Sequence, residues 1–304
     1  MRTNRRKASR AAGTAVPREW VHRFPSMAAA KVTRLIVPGD PPADDETAEA
    51  WLLSCLRSWP VGRRSKFLLL PGGYLAARFP RRWRGRVGWN TTAADVAPLF
   101  DVARASVHRV LSHRVLRAAE GKVDAVAIGV DAWTSDGPGA RAELVAICEL
   151  STGKIHMSGK SLLRSDQRRV VRIPTLETHF CRVAGERALL LGCHDLNFFN
   201  PRGRGRQRPD GVLAATRKEM DAHVRTFRPT VVLHLPHGTD TPRTWAAGWK
   251  SLLDMVPSIK GWASGISYFR VGQGGLRASL DAVVNGTRDR LCADIAPAGV
   301  FENV

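Results

Sequence analysis

Short apolar runs alternate with amphipathic stretches along this chain. Residues 32–37 (VTRLIV) are largely β-branched and halt at Pro38, Gly39, Pro41 and Pro42, as a strand does when it enters a loop. Over 44–58 the period lengthens. Acids stand in the first turn, and Ala48, Trp51, Leu52 and Leu56 recur at helical spacing before Pro60. Residues 66–70 form a buried-looking strand stopped by Pro71-Gly72-Gly73. Residues 94–120 read as one long helical stretch or two shorter ones, and 123–130 as another buried strand. Residues 143–150 and 154–160, joined through Ser-Thr-Gly, have the alternation of a hairpin. Further strands are predicted at 178–183, 188–193, 230–235, 261–269 and 276–283, with helices at 212–227 and 245–255. Strands interleaved with helices and hairpins predict an α/β fold with mixed sheets.

Composition narrows this picture. The 304 residues are 44% hydrophobic and 24% charged, a globular balance, and the longest apolar runs have strand length rather than membrane-span length. No membrane partner is expected. Five widely spaced cysteines and no secretory apolar run point to reduced thiols in a cytoplasmic setting rather than a disulfide framework. The formal net charge is +20. Residues 1–31 carry eight Lys or Arg against Glu19 alone and lack an apolar period, so they read as a disordered basic tail. That tail also fits a targeting peptide, or a chain whose translation starts at Met27. A single domain is expected over 32–304.

Candidate chemistry gathers in loops that follow strands. Cys193 ends an Ala-Leu-Leu-Leu-Gly run and is followed at once by His194 and Asp195. A thiol placed there, beside a cation, can be held as thiolate and attack a carbonyl or nitrile carbon. A buried, inert cysteine packing as a small hydrophobe fits the same spacing. Lys160 ends the hairpin, where lysines are commonly solvated. His234, His237 and Asp240 form H-x-x-H-x-x-D, a donor set that suits Zn²⁺ or Fe²⁺ only if the loop folds back, and that otherwise lines a pocket or satisfies backbone groups. His179 and Cys181 with Cys193 and His194 are a weaker zinc candidate. Arg78, Arg81, Arg82, Arg84 and Arg86 interleave with Phe79, Trp83 and Trp89, and a second cluster runs from Arg202 to Arg208. Such clusters suit nucleic acid or, for the second, an anionic substrate; as surface loops they need neither.

The stretch Leu191-Gly192-Cys193-His194-Asp195-Leu196-Asn197-Phe198 resembles the nucleophile motif of the nitrilase (carbon–nitrogen hydrolase) superfamily. The hairpin ending Gly159-Lys160-Ser161-Leu162-Leu163 is similar to the element that carries the family's catalytic lysine, 33 residues before Cys193. Residues 230–236 and 262–275 resemble later strands of the same family. The resemblance implies an α-β-β-α sandwich of two mixed sheets, commonly a homodimer through one helical layer. It also implies hydrolysis of a non-peptide amide or nitrile, without cofactor or metal. Cys193 would be the nucleophile and Lys160 its electrostatic partner. The family's general-base Glu follows a Pro at the end of the second strand, and here Leu70-Pro71 is followed by Gly72. His194, Asp195 and His237 are the substitutes that loop placement offers. An inactive scaffold or ligand sensor of the same fold, or a basic nucleic-acid-binding protein, is the alternative.

Overall fold

The run at 32–37 becomes a central strand of a large mixed sheet in the computed structural model, which describes residues 20–25, 30–134, 139–164, 166–201, 211–238, 242–268 and 278–298. In chain order the first elements are β1 (Trp20–Arg23), β2 (Ala30–Pro38), α1 (Asp45–Arg57), β3 (Ser65–Leu69), β4 (Leu75–Arg78), α2 (Ala93–Val110), α3 (His113–Ala119) and β5 (Val123–Trp133). Then come β6 (Arg141–Glu149), β7 (Ile155–Gly159), β8 (Val170–Val171), β9 (Phe180–Val183), β10 (Glu186–Leu191) and α4 (Gly211–Phe227). The chain continues through β11 (Val231–His234), α5 (Pro242–Met255), β12 (Gly261–Ser264), β13 (Ile266–Tyr268), α6 (Leu280–Gly286) and β14 (Cys292–Pro297).

One sheet runs β1-β14-β2-β3-β5-β6-β7, with β13, β4 and β8 at its margins; the other runs β12-β11-β10-β9. Both are mixed. β14, β2, β3 and β5 are mutually parallel and β5, β6 and β7 antiparallel, while β10, β11 and β12 are parallel and β9 antiparallel. Period-two alternation sends each strand's side chains to two different cores. Val126, Ile128 and Val130 of β5 meet Trp51, Leu52, Leu99 and Val107 of α1 and α2. Ala125 and Ala127 turn the other way and join Val145, Ile147, Leu190 and Leu233 between the sheets. Leu189, Leu191 and Val232 face Met220, Val224, Trp245 and Trp249 of α4 and α5. Four layers result, α-β-β-α, as the resemblance implied.

Helix boundaries follow local chemistry. Asp44 caps α1, accepting from the Thr47 N–H at 2.8 Å, and Thr92 with Asp95 forms a capping box on α2. Ser112 begins α3 and splits the long helical stretch in two. Among the described residues, no helix is long and apolar enough to cross a membrane. The five cysteines are free and buried.

Several expectations are corrected. Residues 20–23, read as basic tail, are β1, paired antiparallel with β14 from the far end of the chain. Residues 280–286 are helix rather than strand. Ser279 caps them, and Leu280, Val283 and Val284 present one face to Ile36, Ile266 and Ala296. The strand expected over 261–269 breaks at Gly265, β12 staying in the small sheet and β13 joining β2. Arg34, unremarked in the sequence, is fully buried opposite Asp294 in the β2–β14 register. It donates to Asp294 and to the carbonyls of Ser264, Val284 and Thr287, tying the two sheets and the end of α6 together.

Candidate active site

The inter-sheet face of β5 reads Ala125, Ala127, Gly129, Asp131, and that of β6 reads Ile147, Val145, Glu143, so each row ends in a carboxylate. Asp131 and Glu143 are register partners. Like charges placed directly across a ladder repel unless cations neutralise them, and two do so here. Lys160 follows β7 and is fully buried, its Nζ 2.8 Å from Glu143 Oε2. A lysine is buried to that degree only when its charge is matched. His237, in the loop after β11, places Nε2 2.6 Å from Asp131 Oδ1 and Nδ1 3.6 Å from Glu143 Oε2.

Cys193 emerges at the end of β10 beside this cluster. Its Sγ, a Glu143 carboxylate oxygen and a His237 ring nitrogen all lie within 4.8 Å of one another. The approach of the Cys193 segment to Lys160 depends on Gly192. A Cβ there would stand 2.8 Å from the Lys160 nitrogen and 2.9 Å from its Cα. The site is lidded on one side only: the side chains of His237 and Asp131 are 32% and 35% exposed, while those of Lys160 and Glu143 are 0% and 8%. Burial works to raise the Glu143 carboxyl, but His237, Lys160 and Arg141 outweigh it and hold it below its ordinary value.

The other candidates take different places. Asp195 is fully buried and accepts from the backbone N–H groups of Ser161 (3.0 Å), Leu162 (2.7 Å) and Gly192 (2.9 Å). Both its oxygens staple the Lys160 segment to the Cys193 segment, so they are not directed at the thiol as a base would be. His194 stacks on Trp245, and burial together with the nearby Lys160 charge lowers it to about 4. His234 is buried with both nitrogens engaged. Nε2–H donates to the Cys193 carbonyl at 3.0 Å, and Nδ1 accepts from Ser264 Oγ at 2.9 Å, which in turn accepts from Trp249 Nε1–H. This chain fixes a neutral tautomer and anchors the backbone of Cys193.

His234 therefore does not share a metal with His237, and Asp240 lies outside the described residues. His179 likewise has both nitrogens in contact, with Ser161 Oγ and the Leu190 carbonyl. Glu143, Cys193 and His237 are the groups a transition metal would use here, but the Lys160 ammonium already sits on Glu143 Oε2.

Gly72, at the position where the resemblance expects a Glu, has no room for a side chain. A Cβ there would stand 2.7 Å from the Leu235 carbonyl oxygen and 2.9 Å from the Pro236 carbonyl carbon. The aromatic residues of the first arginine cluster have partners within the protein. Phe79 is in the core, Trp83 donates to the Asp95 carbonyl, and Trp89 carries the Arg172 guanidinium at 4.9 Å. Trp83 and Trp89 are half-buried; residues 202–208 lie outside the described residues. A cleft of about 560 Å³ lined by His113, Glu120 and Glu149 lies at the opposite ends of β5 and β6.

The buried imidazoles carry a pH signature. Burial lowers His234 to about 3 and His194 to about 4, against an ordinary 6.5 for an unfolded histidine. Below 6.5 the unfolded chain therefore binds protons that the folded chain refuses, and stability falls as pH drops towards 4. Melting temperatures across that window should decline in wild type and decline less steeply in His234→Gln.

No protein-family model matches this chain, and no curated protein does. Among solved structures it is similar to an amidase from Nesterenkonia sp. (16% identity, TM-score 0.43), over 88% of this chain and 82% of that one. A Cys-to-Ala mutant of the Nesterenkonia AN1 amidase, from the nitrilase superfamily, matches at 14% identity and TM-score 0.42 over 87% of this chain and 81% of that one. A further variant of that amidase carries the acetamide moiety of fluoroacetamide at its active-site cysteine. It matches at 16% and TM-score 0.43 over 86% of this chain and 80% of that one.

Proposed function

We propose that this chain hydrolyses a C–N bond of a small amide or nitrile through covalent attack by Cys193. One observation carries the reading. A fully buried lysine, fixed by Glu143, follows a strand of the large sheet and a thiol follows a strand of the small one, and the backbones of the two segments are in contact through Gly192. Lys160 stabilises negative charge on the sulfur and, as the tetrahedral intermediate forms, on the substrate oxygen or nitrogen. The backbone N–H of His194 is the second donor. Glu143 holds the ammonium in place at 2.8 Å. Water then discharges the acyl-enzyme.

Arg141 flanks Glu143 at 3.5 Å with its own side chain mostly exposed, and favours an acyl group that carries negative charge. Five free thiols suit a reducing cytoplasm.

Iodoacetamide followed by peptide mass spectrometry tests this reading. Cys193 should be alkylated faster than Cys55 or Cys292, and Lys160→Met should slow it. Turnover of simple amides in that variant should fall on the order of 10²–10³-fold. Labelling of Cys193 no faster than Cys55 would overturn the proposal.

A further inference from the structure

Asp131 and Glu143 face each other across β5 and β6, and His237 bridges them. Nε2 is held by Asp131, which leaves Nδ1 as the ring nitrogen towards Glu143 and Cys193. The floor beneath the imidazole is the Pro71-Gly72-Gly73 turn. The Gly72 N–H donates to the Pro236 carbonyl at 3.1 Å, so the main chain just before His237 lies where a side chain on residue 72 would point. Gly73 has φ +68°, and a Cβ on it would stand 3.1 Å from Asp131 Oδ2 and 3.2 Å from His237 Cδ2. Two consecutive glycines thus make the space that the imidazole and its carboxylate occupy.

From this geometry we propose that His237, aligned by Asp131, is the acid–base group of the Cys193 reaction and stands in for the Glu that Gly72 excludes. The inference rests on Cys193 being the nucleophile. With the thiol proton already on His237 Nδ1, the sulfur electron pair forms the bond to the amide carbon while the C=O π pair moves to oxygen. As the intermediate collapses, the C–N bond breaks and the imidazolium returns its proton to the departing nitrogen, which leaves as ammonia. Water attacks the thioester carbon, gives one proton to His237, and the C–S bond breaks to release the acid. Sulfur is left as thiolate opposite the imidazolium, and the cycle closes. Asp131 does not touch the substrate. It is a positioning residue that fixes the tautomer and supports the imidazolium.

Charge balance supports the assignment. Among the described residues, the titratable and charged groups around His237 are Asp131 on β5, Arg141 and Glu143 on β6, Lys160 after β7, and Cys193 and His194 after β10. Burial works to lower His237, but the charge and hydrogen bond of Asp131, followed by Cys193, raise it well above its ordinary 6.5. A charged imidazolium opposite the sulfur is the resting state this favours.

The test uses the full-length chain, iodoacetamide as probe, and the variants Asp131→Asn and His237→Gln. At about pH 6.5, Cys193 alkylation should fall roughly tenfold or more in both variants. Near pH 9.5, where an ordinary exposed thiol ionises unaided, they should match wild type within about twofold. A variant-to-wild-type ratio equal at the two pH values would overturn the assignment while leaving Cys193 as nucleophile. Cys193 labelling no faster than Cys55 in wild type would instead remove the reading on which it rests. Independently of any fold change in the variants, nitrogen-15 spectra of histidine-labelled wild type should show His237 doubly protonated at about pH 7. A neutral His237 there would also overturn it.

Discussion

Cys193→Ala should lower amide turnover by about 10⁴-fold or more while leaving the melting temperature near that of wild type, because a covalent route has no partial substitute for its nucleophile. The contrast between the two readouts follows from where the residue sits. What holds the Cys193 segment is main chain: its carbonyl accepts from His234, and Gly192 N–H donates to Asp195. Neither bond involves the sulfur. Replacing sulfur with hydrogen removes the reacting atom and leaves both anchors in place. Equal loss of turnover and of melting temperature would point to packing as the role of Cys193. Activity assays alongside thermal melts separate the two.

The largest expected effect on stability lies away from the site. Arg34→Met should cost about 3–5 kcal/mol, since removing one partner leaves Asp294 buried with its main counter-charge gone. The loss extends beyond one ion pair. Arg34 donates to Ser264, Val284 and Thr287 carbonyls, so β12 and the C-terminal end of α6 lose a shared donor. Arg288, 2.8 Å from Asp294 and one-quarter exposed, retains part of the compensation and keeps the loss finite. Replacing both residues by apolar ones, as in Arg34→Met with Asp294→Leu, should recover a large part of it. Urea unfolding midpoints of the single and double variants give the comparison. A single variant within about 1 kcal/mol of wild type would show that the buried pair contributes little.

Where the chain's own pattern is local, it was readable. Continuous apolar runs mark β2, β3, β5 and β10, helical spacing marks α1 and α5, and the residues around Lys160 and Cys193 mark the edge where they meet. The carboxylates were harder. Asp131 and Glu143 look like polar residues closing ordinary strands. The available signal is parity: each shares its face with residues buried between the sheets, where an unpaired acid would be costly. Gly72 reads in one dimension as a lost base. In three dimensions its missing side chain makes room for the backbone of residues 235–237, far along the chain, which brings His237 in. β1 reads as tail in the sequence because its partner, β14, lies at the other end of the chain, and no local periodicity reports a pairing of that range. Arg34 had a visible cue, one guanidinium inside a β-branched run, but its counter-charge is equally remote. Residues 280–286 show the opposite failure: a short apolar run is ambiguous between strand and helix until Ser279 is recognised as a cap.

The central claim, that Cys193 forms an acyl-enzyme under the charge of Lys160, is tested most directly by trapping that species. Wild-type protein incubated with fluoroacetamide or a short aliphatic amide is quenched in acid, digested and analysed by mass spectrometry. The account predicts an added acyl mass on the peptide bearing Cys193, released by hydroxylamine when it is a thioester and absent from Cys193→Ala. No adduct on that peptide across the amide series, from folded protein, would contradict it.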